Sequence, residues 1–269
     1  MAATSTAEGA DHLSAGAGTG DLAQVTANFR QYLMGWGAQD NTQGDFDCYR
    51  SGLSQAQFNG VVRLRSLDVV EKSLATARVH LAGVPWWWWV GPDSPAETVS
   101  ALSSLGAVSL GAVPLMTRSL DRVEETEDPP AGPRVEEVRD ADRLRELVRT
   151  YSASMGVSPG LEDGMVRVEA GRPDNADVVR LAAVLDGRVV GTTVVMMAHE
   201  VAGIFLVHVA QEHRRRGIGG ALTTAALRAG RERGMRLAAL GASPMGEPLY
   251  RRFGFTAVSE YHLFSGPTA

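Results

Sequence analysis

The residues best suited to chemistry in this chain lie at 211–220, "QEHRRRGIGG", directly after the apolar run "GIFLVHVA" of 203–210. The apolar run reads as a strand, and the alanine- and leucine-rich stretch after the glycines reads as a helix. The first amides of a helix have no intrahelical acceptor and sit at the positive end of its dipole. Gly217, Gly219 and Gly220 carry no side chain, so an anion can come close to those amides. Arg214, Arg215 and Arg216 add charge, and the ligand implied is a pyrophosphate. The spacing Arg-x-x-Gly-x-Gly is neither the Gly-x-Gly-x-x-Gly dinucleotide fingerprint nor a Walker loop, because no Gly-Lys-Ser/Thr follows. Taken alone it also fits a turn with solvated arginines.

Other residues offer acid–base or nucleophilic chemistry. His208 lies on the strand just before the loop, where a small or apolar residue is expected, and is either a base or a structural histidine. Glu247 opens the helix that carries Tyr250; it is a second candidate base, or an acid placed to meet the helix dipole. Cys48, the single cysteine, lies in "DFDCYR" with no base motif beside it and reads as a small core residue. "GASPM" lacks the Gly-x-Ser-x-Gly elbow. His208, His213 and His262 do not have metal-ligand spacing, and no metal is expected.

The surrounding elements follow from periodicity. "VEEVRDADRLRELVRTYSASMG" is a strand and then a helix with Leu144, Leu147 and Tyr151 on one face. "VVRLAAVLDGRVVGTTVVMMAHEVAGIFLVHVA" is a meander, with Asp186-Gly187 as one hairpin turn and His199-Glu200 as another tip. "GIGGALTTAALRAGRERG" is a helix closed by Gly234, followed by strand "RLAAL", helix "GEPLYRRFG" and strands in "FTAVSEYHLF". The order is β-α-(α)-β-β-β-α-β-α-β.

Strand, glycine loop, helix and "ASPMGEPLYRRFGF" together resemble the GNAT superfamily of acyl-CoA-dependent N-acyltransferases over residues 134–264. The resemblance implies a mixed, mostly antiparallel sheet flanked by helices, with acetyl-CoA as cosubstrate. It implies that Arg214, Gly217 and Gly219, with the amides of Arg215 to Gly220 including Ile218, cradle the CoA pyrophosphate. It also implies that the backbone of Val207 and Val209 holds the pantetheine arm. Tyr250, four residues before Gly254, is implied as the proton donor to the leaving thiolate. Ser243 stands where the family often has Asn, which puts one CoA or water contact in doubt.

The first half carries a weak internal repeat of the second. Aligning Gly106 with Gly254 places "WWWWVGPDSPAETVSALSS" over "LAALGASPMGEPLYR". Leu102 then takes the place of Tyr250, and the segment before the first helix has no glycine loop. An N-terminal partial GNAT-like α/β domain without a cofactor site is expected. The four tryptophans Trp86 to Trp89 alternate along a strand, so they pack the core on one side and an acceptor pocket or interdomain seam on the other.

Composition sets the remaining expectations. The chain has 269 residues, 44% of them apolar, and a net charge of −5, so it has no general attraction for nucleic acid or anionic membrane. The arginines fall on several faces, and no nucleic-acid partner is expected. The N-terminal residues lack the pattern of a signal peptide, no apolar run spans a membrane, and a cytoplasmic monomer or homodimer is expected. The divisions expected are a tail at 1–22, a GNAT-like domain at 23–121, a proline-rich linker at 122–133 and a catalytic domain at 134–269. Residues 130–269 alone are expected to retain the cofactor site. The function expected is acetyl transfer from acetyl-CoA to the primary amine of a small molecule such as an amino acid, amino sugar or antibiotic. The alternatives are a non-catalytic acyl-CoA sensor, or a transferase using a longer acyl group or a protein N-terminal amine.

Overall fold

The computed structural model of the protein describes residues 19–37, 42–121 and 133–266. Apart from Pro133, the expected linker lies outside the described residues. So does the tail up to residue 18, while residues 19–22 already belong to a helix.

The first half contains α1 (Thr19–Met34), β1 (Thr42–Gln43), β2 (Phe46–Arg50), β3 (Asn59–Leu64), α2 (Val70–His80), β4 (Trp87–Val90), α3 (Thr98–Ser104) and β5 (Val108–Ser119). The second half contains β6 (Arg134–Glu137), α4 (Ala141–Met155), α5 (Glu162–Ala170), β7 (Val178–Leu185), β8 (Arg188–Ala198) and β9 (Val201–Val209). It continues with α6 (Ile218–Glu232), β10 (Leu237–Gly241), α7 (Glu247–Arg252) and β11 (Thr256–Ser265). The element order read from the sequence of the second half is the order observed. Local chemistry sets its boundaries. The Asp140 carboxylate accepts the Arg143 amide at 2.8 Å to cap α4. Asp186 and Gly187 both have positive φ in the two-residue turn between β7 and β8, as do His199 and Glu200 between β8 and β9.

All strands join one 11-stranded, mostly antiparallel sheet in the order β1-β2-β3-β4-β11-β5-β10-β9-β8-β7-β6. The two halves repeat one pairing pattern. β3 runs parallel to β4, and β9 runs parallel to β10. Each half then gives its last strand to the other: β5 pairs with β10 and β11 pairs with β4, while β5 and β11 pair with each other at the centre. Gly106 and Gly254, which the sequence alignment superposed, turn into these last strands with φ of 83° and 76°. The halves are therefore interlocked within a single sheet, whereas the sequence suggested units joined by a linker.

Strand alternation supplies both faces of the sheet. Val194 and Met196 of β8 face α1, α4 and α5, while Val195 and Met197 face α6 and α7. On the first half, Phe46, Cys48, Val61, Trp86 and Trp88 pack under α2 and α3. α1 crosses from its own half onto the second. Its buried Asn28 side-chain amide donates to the carbonyls of Met196 and Ala198 at 3.0 Å and of Val201 at 2.9 Å, at the end of the β8–β9 hairpin. Asn28→Ala removes those donors from buried carbonyls, and a loss of about 1–3 kcal/mol in denaturant unfolding is expected.

Candidate active site

β9 and β10 are paired only from Val201–Leu237 to Gly203–Ala239. Beyond that point the two parallel strands part, opening a crevice at their carboxyl ends. Within the crevice β9 carries a bulge, where Leu206 and Val207 together face Thr193 of β8, and Leu206 has φ of 49°. The hydroxyls of Thr192 and Thr193 donate to the carbonyls of Leu206 (2.9 Å) and Phe205 (3.2 Å), so the irregular backbone is held in place. β9 leads into the glycine loop. There Arg215 has φ of 60° and Gly217 has φ of 81° at the start of α6. The helical ladder begins with the Ala221 amide donating to the Gly217 carbonyl at 3.0 Å. The amides before it belong to the open first turn. Arg214 to Gly217 are exposed, whereas the Ile218 side chain is buried among Ala183, Val190 and Leu222 and anchors the helix end. Holding Arg215, a residue with a Cβ, in the left-handed region costs of the order of 1 kcal/mol or more. Together with Gly217 it curls the loop into a concave run of backbone, the shape of an anion nest.

The candidate residues fall into distinct places. Val207, His208, Ser243 and Tyr250 line one cavity of about 280 Å³. Val209 lies outside that cavity; it pairs with Gly191, and its carbonyl accepts from Arg214 Nε at 3.2 Å. Arg214 thus braces the end of β9 and also donates to Ser154 Oγ at 3.3 Å, while Arg215 and Arg216 stay exposed. Ile218, Gly219 and Gly220 form the first turn of α6. The Ser243 hydroxyl accepts the Gly246 amide at 3.1 Å and so shapes the start of α7.

Tyr250 is 7% exposed, and burial pushes its hydroxyl up to about 12, so at neutral pH it is a proton donor. Burial, then the positive charge of Arg214, lowers His208 to about 4. Its Nδ1 lies 3.1 Å from Ser154 Oγ. Arg214 donates to the same oxygen, so one serine hydroxyl links His208 to the guanidinium that bears on it. With Nδ1 engaged by Ser154 and its basicity lowered by burial, His208 is a weak candidate base. Its pKa is lower folded than the unfolded value of about 6.5. Its stabilising contribution is present above that value and is lost as pH falls from about 6.5 toward 4. His208→Gln is therefore expected to lose less stability than the native chain between pH 7 and pH 4.5, as measured by denaturant titration.

Glu247 does not line the cavity; its Oε1 is held by Arg251 at 2.6 and 2.9 Å, one turn along α7. Cys48 is fully buried, and burial, then Asp47, raises its thiol to about 12, which removes it as a nucleophile.

The opposite wall of this cavity includes the tryptophan strand, as one of the two sequence readings had it, and residues near α1 that the sequence reading missed. Tyr32 and Leu33 of α1, Trp36 just after it, Phe58, and Trp87 and Trp89 of β4 come from the first half and meet Phe205 and Val207 of the second. The alternation of the tryptophan run places Trp86 and Trp88 in the core beneath α2 and α3, and Trp87 and Trp89 on the cavity side. The signal in and just after α1 was the spacing Phe29, Tyr32, Trp36, which has the period of an ordinary core stripe.

The profile of the Acetyltransferase (GNAT) family matches residues 143–255, the segment that carries the parted strands, the loop and Tyr250. Over these residues the chain is similar to GNAT acetyltransferases. A mycothiol acetyltransferase of Nocardiopsis dassonvillei is 33% identical over 129 residues, which is 47% of this chain and 38% of that protein. The similarity thus spans well under half the length of that relative. A GCN5-related N-acetyltransferase from Kribbella flavida shares the fold across both halves. Its TM-score is 0.73 at 18% identity, covering 94% of this chain and 98% of that one. Another, from Sphaerobacter thermophilus, has a TM-score of 0.60 at 18% identity, covering 81% of this chain and 75% of that one. The GNAT-like half and its partner half thus share an arrangement seen in other solved proteins.

Proposed function

We propose that the protein is an N-acetyltransferase that moves an acetyl group from acetyl-CoA to the primary amine of a small molecule, within a ternary complex. The observation that carries this reading is the parting of β9 from β10 between the exposed glycine loop and the buried Tyr250 hydroxyl. The loop backbone of Arg215 to Gly220 fits a pyrophosphate, with Arg215 and Arg216 adding charge. The bulged backbone at Leu206 and Val207 faces the thioester end, where a backbone donor can polarise a carbonyl. Acetyl-CoA supplies the activated acyl group. The amine nitrogen bonds to the acyl carbon, the carbon–sulfur bond breaks, and Tyr250 gives its proton to the departing sulfur. The amine must be neutral to attack, and the cavity favours that form because desolvation lowers the pKa of an ammonium. With His208 capped by Ser154 and Glu247 held by Arg251, solvent takes the amine proton. The first half serves as the acceptor wall, with Leu102 buried where a second Tyr250 would stand.

Two measurements test this. Gly219→Val places a side chain over the open amides; its Cβ would lie 3.3 Å from the end of the Leu249 side chain, which must shift slightly, so the folding of the variant is checked by its denaturant unfolding. Calorimetry is expected to show at least a tenfold weaker acetyl-CoA affinity, ~1.4 kcal/mol. Unchanged affinity in the folded variant would remove the loop from the proposal. His208→Gln is expected to keep the acid limb of the pH–rate profile, because that limb belongs to the amine of the acceptor.

A further inference from the structure

The cavity walls carry information about the acceptor that the loop and Tyr250 do not. Among the described residues, no Asp, Glu, Lys or Arg lines it, and His208 is held neutral. Eight Phe, Tyr and Trp side chains do line it. Several of these rings are fixed from behind. Tyr32 stacks on Phe205 with centroids 3.7 Å apart and planes 9° apart, and the Arg172 guanidinium sits 4.8 Å over the Tyr32 ring. Trp36 leans on Phe58 at 4.4 Å, and Trp89 Nε1 donates to Tyr49 Oη at 3.1 Å. The faces turned to the cavity are therefore rigid, and binding to them loses little conformational freedom.

The two ends of the lining differ. The hydroxyls of Tyr250 and Ser243 belong to the second half, at the thioester end, while the first half supplies Trp36, Phe58, Trp87 and Trp89 with only Tyr32 and Gln57 as polar side chains. A ligand with one amine and one flat apolar body fits this lining with its amine toward Tyr250 and its ring toward the tryptophans. A polycationic amino sugar finds no carboxylate partner among the described lining residues, and an amino acid would bury its carboxylate against uncharged rings. Either would lose hydration without compensation. The volume of about 280 Å³ lies at the small end for ligand sites, room for one or two rings rather than an oligosaccharide.

We infer that the acceptor is an arylalkylamine: a primary amine on a short chain carrying a flat aromatic ring, which packs against the partly exposed Trp87 and Trp89, with the buried Trp36 and Phe58 behind them. This rests on the acetyl-transfer reading above and specifies the substrate class of the same site.

The test uses the full chain. Thiol release from acetyl-CoA is followed with 2-phenylethylamine and tryptamine against glucosamine, kanamycin and glutamate, and binding of 2-phenylethylamine is measured separately by calorimetry. The arylalkylamines are expected to exceed the others by at least about 100-fold in kcat/KM. Trp87→Leu is expected to lower kcat/KM for tryptamine at least about tenfold while leaving acetyl-CoA affinity within about twofold. Equal or faster turnover of glucosamine, kanamycin or glutamate overturns the inference, as does an unchanged kcat/KM in folded Trp87→Leu. If 2-phenylethylamine binds but no amine is acetylated, the acetyl-transfer reading falls and the ligand class stands. If it neither binds nor reacts, the ligand class falls, while acetylation of another amine would leave the transferase reading intact.

Discussion

Residues 130–269 expressed alone are expected to aggregate and to show no measurable acetyl-CoA binding, although every proposed cofactor contact lies within them. β5, which sits between β10 and β11, comes from the first half, as does α1, which covers β8 and β9. Without them, β10 and β11 expose unpaired edges and the face of β9 is stripped. The buried Val25, Phe29, Tyr32, Leu115 and Met116 are lost together. At about 1.5–3 kcal/mol for each such side chain, that loss matches the whole net stability of a typical domain, ~5–15 kcal/mol. Co-expression with residues 1–129 is expected to restore a soluble complex that binds acetyl-CoA, because the same strands then meet in trans. Size-exclusion chromatography and calorimetry on the fragment alone and on the co-expressed pair decide the matter. A monomeric second half with the affinity of the full chain would mean that the strand exchange is dispensable. This expectation departs from the one drawn from sequence, in which residues 130–269 alone retained the cofactor site.

The second large effect is expected at Tyr250. Tyr250→Phe keeps the ring, its burial and its edge contact with Phe255 at 5.9 Å, and removes only the hydroxyl. General acid catalysis is typically worth ~10²–10⁴-fold. A CoA thiol resembles cysteine, with a pKa of about 8.5, and leaves fairly well unaided. Turnover is therefore expected to fall about 10- to 100-fold, with acetyl-CoA affinity unchanged. The pH profile adds a second readout. With the hydroxyl raised to about 12 by burial, Tyr250 stays protonated through the working range. Any alkaline limb below about pH 11 belongs to another group and is expected to persist in the Phe variant. Single-turnover kinetics with the arylalkylamine panel would measure this. Native turnover in a folded variant, with chemistry rate-limiting, would reassign the proton transfer to water.

Much of this protein is determined locally and was legible in its sequence. Asp186-Gly187 sets a hairpin because few residues accept its positive φ values, and the apolar period of 218–232 sets α6. The Arg-x-x-Gly-x-Gly loop between strand and helix sets an anion-ready backbone, because a helix start has unpaired amides whatever surrounds it. The repeat around Gly106 and Gly254 was also visible, since both glycines meet the same local demand for a left-handed turn. Other features depend on which strand lies beside which. Nothing in "VSLGAVPLMTRS" or "FTAVSEYHLF" specifies a partner, and matched turns allow each strand to pair within its own half or across to the other. Only the tertiary structure shows the exchange, and the exchange brings the first half against the crevice. For the same reason Trp87 and Trp89 were readable as one face of a strand, but not as a wall facing Phe205 and Tyr250. His208 read in sequence as either a base or a structural histidine. Its burial and its contact with Ser154, a residue 54 positions away in the chain, keep it neutral and favour the second.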